Sequence, residues 1–419
     1  MSESLWSKTT DIPKRATLPG DLTADAAVIG GGMAGILTAH YLKEAGLRVM
    51  VLEASRIGTG QTKNTTAKIT FQHGLIYHRL IEQFGEERAR QYAEANQRAI
   101  REYKRLIDEK QIDCDFMEAP AYLYSTVEQE PLVRECEAAK RLGIEASCCS
   151  ETELPFQVAA ALRFDGQAHF HPLEFLQAVA EPLEIYEDVP VRTVEGEKIF
   201  TDLGTVTAKH IIFACHYPFL NVPGYYFMRI HQERSYVLAL ENAAQFRGMY
   251  LGVDADGLSF RPQGEVLLLG GGNHRTGENS TGGQYQKLRE AATRYWPESR
   301  ETAHWSAQDC MTLDGIPYIG RFSASTPDWY VATGFQKWGM TTSMAAALLI
   351  SSLIAKGTSP YEEVFSPQRF TPSASAKTLM QETAQATKGL ARHFLKPPRA
   401  DIEALPCGHG GVVEYDGDK

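Results

Sequence analysis

The sequence predicts an α/β protein made of two interleaved domains, and three observations lead to this prediction. Residues 24–56 contain an apolar run, a glycine cluster, an amphipathic stretch and a second apolar run, which is the order of a βαβ unit. Continuous apolar runs at 210–215 and 329–333 are typical of further strands in the same parallel sheet. The pieces of chain between these strands must then form a second domain built from insertions.

The glycine cluster has the spacing Gly-x-Gly-x-x-Gly, which is typical of a dinucleotide-binding turn. Gly30 allows a sharp turn, Gly32 lets the backbone approach a pyrophosphate, and Gly35 lets the following helix lie close to the strand. The N-terminus of that helix offers free N–H groups and a partial positive charge to a diphosphate. Glu53, at the end of the second strand, can accept hydrogen bonds from ribose hydroxyls. This pattern predicts a dinucleotide, either NAD or FAD.

Composition narrows the class of protein. The chain has 419 residues and a net charge of −10 without a basic stripe, so a nucleic-acid partner is not favoured. The longest apolar run, 344–355, is shorter than the roughly 20 residues of a membrane span, and the polar N-terminus has no signal core. Seven cysteines without a Cys-x-x-Cys pair indicate neither a disulfide framework nor a metal site. We therefore expect free thiols, no bound metal and a cytoplasmic location.

The first half of the chain alternates between helical and strand-like patterns. Residues 1–23 are expected to be a lead-in arm. The loop after Glu53 is rich in Gly, Thr and Asn, which suits contacts to a phosphate and a polar ring edge. Helices are predicted at 34–45, 75–110, 128–142 and 173–180, and strands within 111–127 and at 184–194, 198–201, 205–208 and 210–215.

The second half begins with a Pro/Gly/aromatic crossover at 218–229. Strands are predicted at 235–240, 257–262, 266–269 and 329–333, a loop with a strand at 305–320, and helices at 283–295, 339–355 and 377–394. The predicted nucleotide-binding domain comprises 24–75, 166–218 and 305–356, the substrate domain comprises 76–165 and 219–304, and 357–419 form a C-terminal extension.

Four motifs occur in an order that resembles the D-amino-acid oxidase-like (DAO) flavoprotein family. They are GGGMAG…LE, IIFAC, WSAQDCMTLDGIPYIGR and YVATGFQKWGMTTSMAAALLI, and the resemblance covers residues 24–356. It implies a Rossmann-like FAD-binding domain of the glutathione-reductase type, interleaved with an α+β substrate domain that contains an antiparallel sheet. It also implies FAD rather than NAD, and oxidation of an amine or amino acid.

The segments TTAKITFQHGLIY and HYPFLNVPGYYFMR resemble a bacterial subgroup that carries a C-terminal Rieske iron–sulfur domain. The sequence ends in CGHGGVVEYDGDK, where such a domain would begin, so the resemblance implies a shortened chain or a natural form without the cluster. Cys407 and His409 imitate half of a Rieske motif, but four ligands are needed, and we expect both to be loop residues. The implied partner is a Rieske domain or another electron carrier.

The resemblance also implies which residues contact FAD. Near the diphosphate, ribose and adenine they are Gly30, Gly32, Met33, Ala34, Gly35, Glu53, Ala54, Arg56, Gly60, Thr62, Thr66, Ala67, Val191 and Cys215. Near the flavin they are Gly334, Lys337, Trp338, Gly339, Met340 and Thr341. The second contact has an independent reason, because the N-terminus of the 339–355 helix offers a positive dipole end to the charge of reduced flavin. Lys337 can alternatively be an exposed lysine.

The substrate residues are less defined. Amino-acid-oxidising members of the resembled family place an arginine where this chain has Asp309, and an acid cannot grip a carboxylate. Asp309 therefore favours an amine or polyamine, unless it is a structural cap. Arg229 or Arg234 could supply a carboxylate clamp, so an amino-acid substrate stays an alternative.

Three aromatic or imidazole side chains complete the set of substrate candidates. Tyr226 is expected over the substrate, and His274 and His73 at loops near the flavin, with ordinary core positions as the alternative. Two other functions stay open, an NAD-dependent dehydrogenase and a non-catalytic flavoprotein subunit.

We predict that the purified protein is yellow, with flavin absorption bands, and that acid precipitation releases FAD into the supernatant. Cys310 lies too close to Asp314 to match the covalent flavin cysteine of some sarcosine oxidases, so no covalent link is expected. A colourless protein would favour the NAD alternative, and flavin that stays with the precipitate would contradict non-covalent binding.

Overall fold

The computed structural model describes residues 3–278 and 282–369, which contain two eight-stranded sheets and one three-stranded sheet. The helices are α1 Leu5–Thr9, α2 Met33–Glu44, α3 Tyr77–Phe84, α4 Glu86–Lys110, α5 Glu130–Arg141, α6 Pro172–Ala180, α7 Gln284–Tyr295, α8 Gly339–Lys356 and α9 Glu362–Phe365. The strands are β1 Leu22–Ile29, β2 Val49–Leu52, β3 Lys68–Ile69, β4 Met117–Glu118, β5 Ala121–Ser125, β6 Ala146–Cys149, β7 Ala160–Phe164, β8 Ala168–His169, β9 Glu184–Tyr186, β10 Val191–Glu195, β11 Lys198–Thr201, β12 Gly204–Phe213, β13 Ile230–Glu241, β14 Met249–Gly252, β15 Ser259–Gln263, β16 Val266–Arg275, β17 Arg300–Thr312, β18 Tyr318–Ser323 and β19 Thr326–Thr333.

The first sheet has a parallel centre in the order β9-β2-β1-β12-β19. Ile29 of β1 is level with Leu52 of β2 and with Phe213 of β12, so these strands end at one edge. Ligands of open α/β sheets bind outside the carboxyl ends of the strands. The glycine turn, Glu53 and Ala214 all follow directly after these ends, and the fold therefore assembles them at one place.

Helices α2 and α8 pack against each other, and α8 also packs against α4. Helix α8 is long and apolar enough to cross a membrane by length and composition, but most of it is buried inside the protein. Its apolar character is thus accounted for by the core that it fills.

The second sheet has the order β17-β13-β16-β15-β14-β5-β7-β6 and is antiparallel except between β14 and β5. Strand β17 pairs with β13 along almost its whole length, from Arg300 to Thr312. The domain boundary predicted at residue 305 falls inside this strand, and the loop predicted to begin there is strand as far as Thr312. The pairing is a long-range contact, which a local sequence pattern does not display.

Other differences between the predicted and the observed elements concern where helices and strands begin and end. The helix predicted over 75–110 is two helices, α3 and α4, separated by Gly85, whose φ of +83° suits glycine. The strands predicted at 205–208 and 210–215 join into the single strand β12. The helix predicted at 377–394, together with Cys407 and His409, lies outside the described residues.

The N-terminal segment, predicted as a lead-in arm, is anchored to the rest of the protein by Trp6. Trp6 is fully buried, and its indole Nε1 donates a hydrogen bond to the carbonyl of Thr65 at 2.7 Å. Its ring meets His171 edge-on at 4.9 Å and lies 5.1 Å from the Arg261 guanidinium. Leu5 and Trp6 are adjacent apolar residues in a polar stretch and show no periodicity, so the sequence pattern misses this anchor.

We predict that Trp6→Ala lowers the free energy of unfolding by about 3–5 kcal/mol, as expected for loss of a buried aromatic side chain. Chemical denaturation monitored by circular dichroism would measure the change. The control is Phe227→Ala at a half-exposed position, which should change stability by no more than about 0.5 kcal/mol. Equal effects of the two substitutions would contradict the anchoring role.

Candidate active site

A cavity of about 570 Å³ extends from the carboxyl edge of the parallel sheet to one face of the antiparallel sheet. From the first sheet it is lined by Gly30, Glu53, Ala214 and Cys215. From the second it is lined by Ser235, Val237, Gly257, Ser259, Gly270, Ala307 and Asp309, most of which have small side chains. The cavity therefore has room for a ligand larger than the dinucleotide turn alone would hold.

Two helix N-termini border this cavity. The N-terminus of α2 contributes Gly32, Met33 and Ala34 to the cavity lining, and the N-terminus of α8 contributes Trp338, Gly339 and Met340. The unpaired N–H groups and dipole of each helix give both places a positive character.

Two threonine hydroxyls hold these helix ends in place. Thr62 Oγ1 accepts a hydrogen bond from Met33 N at 3.0 Å, and Thr341 Oγ1 accepts one from Thr70 N at 2.8 Å. The loop after Glu53 is thereby fixed to both helices.

The glycine turn is packed so closely that larger residues are excluded. A Cβ atom on Gly30 would lie 2.5 Å from Ala214 O, and one on Gly35 would lie 1.9 Å from Gly30 O. The Glu53 carboxylate accepts hydrogen bonds from Gly31 N at 2.6 Å and from Ser55 N at 2.9 Å. The turn, the acid and the helix end thus have the arrangement that a dinucleotide requires, and the residues present fit FAD.

Most of the expected cofactor residues line the cavity. These are Gly30, Gly32, Met33, Ala34, Glu53, Ala54, Gly60, Thr62, Thr66, Val191, Cys215, Gly334, Lys337, Trp338, Gly339 and Met340.

Four of the expected cofactor residues do not line it. Gly35 lies behind the turn, and Ala67 is fully buried. Thr341 is engaged with Thr70, and Arg56 donates to Ile12 O at 2.6 Å and pairs with Glu187 at 2.9 Å. Arg56 is therefore part of the wall behind the cavity.

Asp309 lines the cavity within a small charged cluster. It lies opposite Glu233 on the neighbouring strand, and Glu233 forms an ion pair with Lys337 at 2.9 Å. Burial raises the pKa of Asp309 to about 7, against the opposing influence of Lys337. A hydrogen bond from His231 and the charge of Lys337 lower the pKa of Glu233 to about 2. Lys337 is therefore not the exposed lysine of the alternative reading.

Tyr226 and Arg229 lie away from the cavity, which corrects the expectation for both. Tyr226 is buried in a separate core and donates a hydrogen bond to Phe322 O at 2.8 Å. Arg229 donates to Pro367 O, and its guanidinium lies 4.2 Å from the centre of the Tyr318 ring. Neither side chain is retained as a substrate contact.

The expected positions of the histidines and of Arg234 are corrected as well, since none is part of the cavity lining. His274 stacks on Tyr236 with ring centres 5.7 Å apart, and Arg234 donates to Gln308 Oε1 at 2.7 Å. His73 is buried against Tyr92, and its burial lowers its pKa to about 3. The carboxylate clamp expected of Arg229 or Arg234 is thus not provided by either.

Lys68 is a cavity residue that sequence reasoning missed. Its Nζ donates to Ser259 Oγ at 2.7 Å and to Tyr250 O at 3.3 Å. Burial and the nearby charge of Arg261 lower its pKa to about 7. The available signal was its place in Thr-Thr-Ala-Lys, at the end of the loop that follows the ribose-binding acid.

Comparison with known proteins gives one family match and several relatives. The profile of the DAO family, described as FAD dependent oxidoreductase, matches residues 25–353. The Bacillus subtilis (strain 168) protein YhfW, whose name describes a Rieske 2Fe-2S iron–sulfur protein, is 37% identical over 99% of this chain and 85% of its own length. A gamma-glutamylputrescine oxidoreductase of Escherichia coli K12 is 27% identical over 47% of this chain and 50% of its own.

Solved structures share the fold at low sequence identity. L-proline dehydrogenase from P. horikoshii has a TM-score of 0.70 and 19% identity, covering 84% of this chain and 98% of that one. Glycine oxidase from Geobacillus kaustophilus has a TM-score of 0.68 and 19% identity, covering 83% and 99%. L-amino acid deaminase from Proteus vulgaris has a TM-score of 0.68 and 16% identity, covering 86% and 100%.

We predict that Asp309→Asn stabilises the protein more at pH 8 than at pH 5. The folded pKa of about 7 lies above the usual value for aspartate, so the stability that the protonated carboxyl contributes is complete below about pH 4 and is lost as the pH rises through 7. An amide stays neutral throughout, and the gain at pH 8 should be on the order of 2 kcal/mol.

Thermal melts of the flavin-loaded proteins at the two pH values would measure this difference. Asp256→Asn, at an exposed position, is the matched control and should show no pH-dependent gain. A gain of Asp309→Asn that is the same at both pH values would contradict the raised pKa.

Proposed function

Because this chain belongs to the DAO family of FAD-dependent oxidoreductases, we propose that it oxidises a C–N bond of an amine or amino acid and passes the electrons to an iron–sulfur or similar carrier. The family places the chain among FAD-dependent oxidoreductases that act on amines or amino acids. The observation that carries the finer proposal is the single cavity that joins the dinucleotide turn to the small-residue face of the antiparallel sheet. The cavity therefore reaches both the residues expected to hold the cofactor and Asp309.

The cofactor would be held at two helix ends. Gly30, Gly32 and the N-terminus of α2 would bind the diphosphate, and Glu53 would bind the ribose. The N-terminus of α8, from Gly339 onwards, would lie beside the flavin, where it favours negative charge. When bound, FAD accepts a hydride from the carbon next to the substrate nitrogen.

Asp309 is the side chain that we assign to the substrate nitrogen. As a carboxylate it attracts a cationic amine, and its pKa of about 7 lets it accept a proton near neutral pH. An amine has to lose its extra proton before the carbon beside it can give up a hydride. Asp309 would thus both orient the substrate and hold that proton.

The electron acceptor is proposed from resemblance. YhfW is named as a Rieske iron–sulfur protein, and it matches nearly the whole chain. A carrier of one electron at a time, related to such a cluster, would receive the electrons in place of oxygen. The six described cysteines are free thiols, which agrees with a cytoplasmic location.

We predict that a cationic amine or amino acid bleaches the flavin under anaerobic conditions, and that Asp309→Ala slows this bleaching at least about tenfold while FAD content stays unchanged. Stopped-flow absorbance with a panel of amines and amino acids would measure the rates, with Asp256→Ala as the control. If Asp309→Ala loses FAD and activity in equal measure, Asp309 has a structural role. A flavin that no amine or amino acid bleaches would favour a non-catalytic flavoprotein subunit.

The acceptor is tested on the same reduced enzyme. Reoxidation by ferricyanide, a one-electron acceptor, should be much faster than reoxidation by air-saturated buffer. Rapid reoxidation by oxygen would instead identify an oxidase.

A further inference from the structure

Lys68 is the centre of a positive cluster without a paired carboxylate. Within the described residues, no Asp or Glu oxygen lies within 4 Å of its amine, whose partners are a hydroxyl and a carbonyl. Arg261, whose charge acts on this amine, is fully buried. His169, on the paired strand, stays neutral because burial lowers its pKa to about 2. Among the described contacts, Arg261 reaches Asp115 through Gln263, which donates to that carboxylate at 2.8 Å. Buried charges are normally paired, so an anion is the missing partner of this cluster.

The cavity lining contains few charged residues, and most of their possible partners are known. The Asp, Glu, Lys and Arg residues among the described lining are Glu53, Lys68, Asp309 and Lys337. Glu53 accepts two backbone N–H groups, and Lys337 is paired with Glu233. Asp309 and Lys68 remain, one negative and one positive, and neither has an oppositely charged group within 4 Å in the described part of the chain.

These two groups lie far apart along one sheet face. Ser259, which holds the Lys68 amine, is level with Gly270 on β16, and through Val237 on β13 with Trp305 on β17. Asp309 lies four residues beyond Trp305 on the same strand. Three strand spacings of about 4.8 Å and four residues of about 3.3 Å place the two sites on the order of 15–20 Å apart.

Between the two groups, the sheet residues that line the cavity have short side chains. Ala307, Ser235, Val237 and Gly270 line the cavity there, and none of them has a long side chain. Trp305, level with Val237, is buried, and its indole donates to Asn64 O at 3.0 Å, so the path from Asp309 runs past Ala307 and Ser235. An extended chain can therefore lie across this surface between Asp309 and Lys68.

We propose that the substrate is an extended amino carboxylate, with its carboxylate at Lys68 and Ser259 and its basic nitrogen at Asp309. In an α-amino acid both charged groups are attached to one carbon, so such a ligand cannot reach both sites. The amine and the carboxylate must instead be separated by a chain of several atoms. This inference rests on the proposed function, since it specifies the substrate of the same site.

The test uses straight-chain ω-amino carboxylates from 3-aminopropanoate to 12-aminododecanoate, with n-alkylamines of equal length and glycine for comparison. Binding to the FAD-loaded enzyme is measured by calorimetry, and flavin reduction is measured separately under anaerobic conditions. We expect the longer ω-amino carboxylates to bind at least about tenfold more tightly than the matched alkylamines and than glycine.

Variants assign this preference to its residues. Lys68→Gln should remove the preference for the carboxylate and leave alkylamine binding unchanged, and Lys68→Arg should retain part of it. Asp309→Asn should weaken both ligand classes, and Lys287→Gln, at an exposed position, should change neither.

The proposal is overturned if chain length has no effect on binding, or if Lys68→Gln keeps the preference with normal FAD content. If alkylamines bleach the flavin but gain nothing from a carboxylate, the proposed function stands and this inference fails. If ω-amino carboxylates bind through Lys68 but no amine bleaches the flavin, the substrate site stands and the proposed oxidation fails.

Discussion

The structure depends on the closeness with which helix α2 lies on the glycine turn. There is no space for a Cβ atom on Gly35, because the carbonyl of Gly30 occupies its place, and Gly30 itself lies against Ala214 at the end of β12. This double contact holds the end of α2 at the edge where three parallel strands finish. The positive end of the helix, the Glu53 carboxylate and the cavity all derive their positions from it.

The second helix end is fixed in a different way. Helix α8 packs on α2, so its N-terminus reaches the same cavity, and the hydroxyl of Thr341 holds the backbone of Thr70. The segment from Glu53 to Thr70 is therefore held at two points, by Thr62 to α2 and, directly after β3, by Thr70 to α8. This segment connects the two helix ends that border the cavity.

The nucleotide-binding part could be predicted because its signals are local. Glycine spacing, an apolar run and a terminal acid occupy about thirty consecutive residues, and most of the residues expected to contact the cofactor line the cavity. The substrate side depends on long-range pairing of β13 with β17, which places Asp309 on the cavity. Tyr226 lies in a separate hydrophobic cluster, and Arg229 lies against the Tyr318 ring. Lys68 and Trp6 were missed because a single residue has no periodicity, and its importance comes only from what folds around it.

The loop that precedes α8 is bonded to β13 and β17 of the second sheet. Gln336 N donates to Cys310 O at 3.0 Å, its side chain donates to Thr312 at 2.8 Å, and Lys337 pairs with Glu233. Residues next to Asp309 therefore hold the loop that leads into the N-terminus of α8. Ser259 and Gly270, on strands farther across the sheet, have no such tie among the described contacts. Changes around Asp309 are thus constrained by the loop that precedes α8, and changes at Lys68 are constrained by Thr70, two residues farther on, whose backbone is held by Thr341 of the same helix.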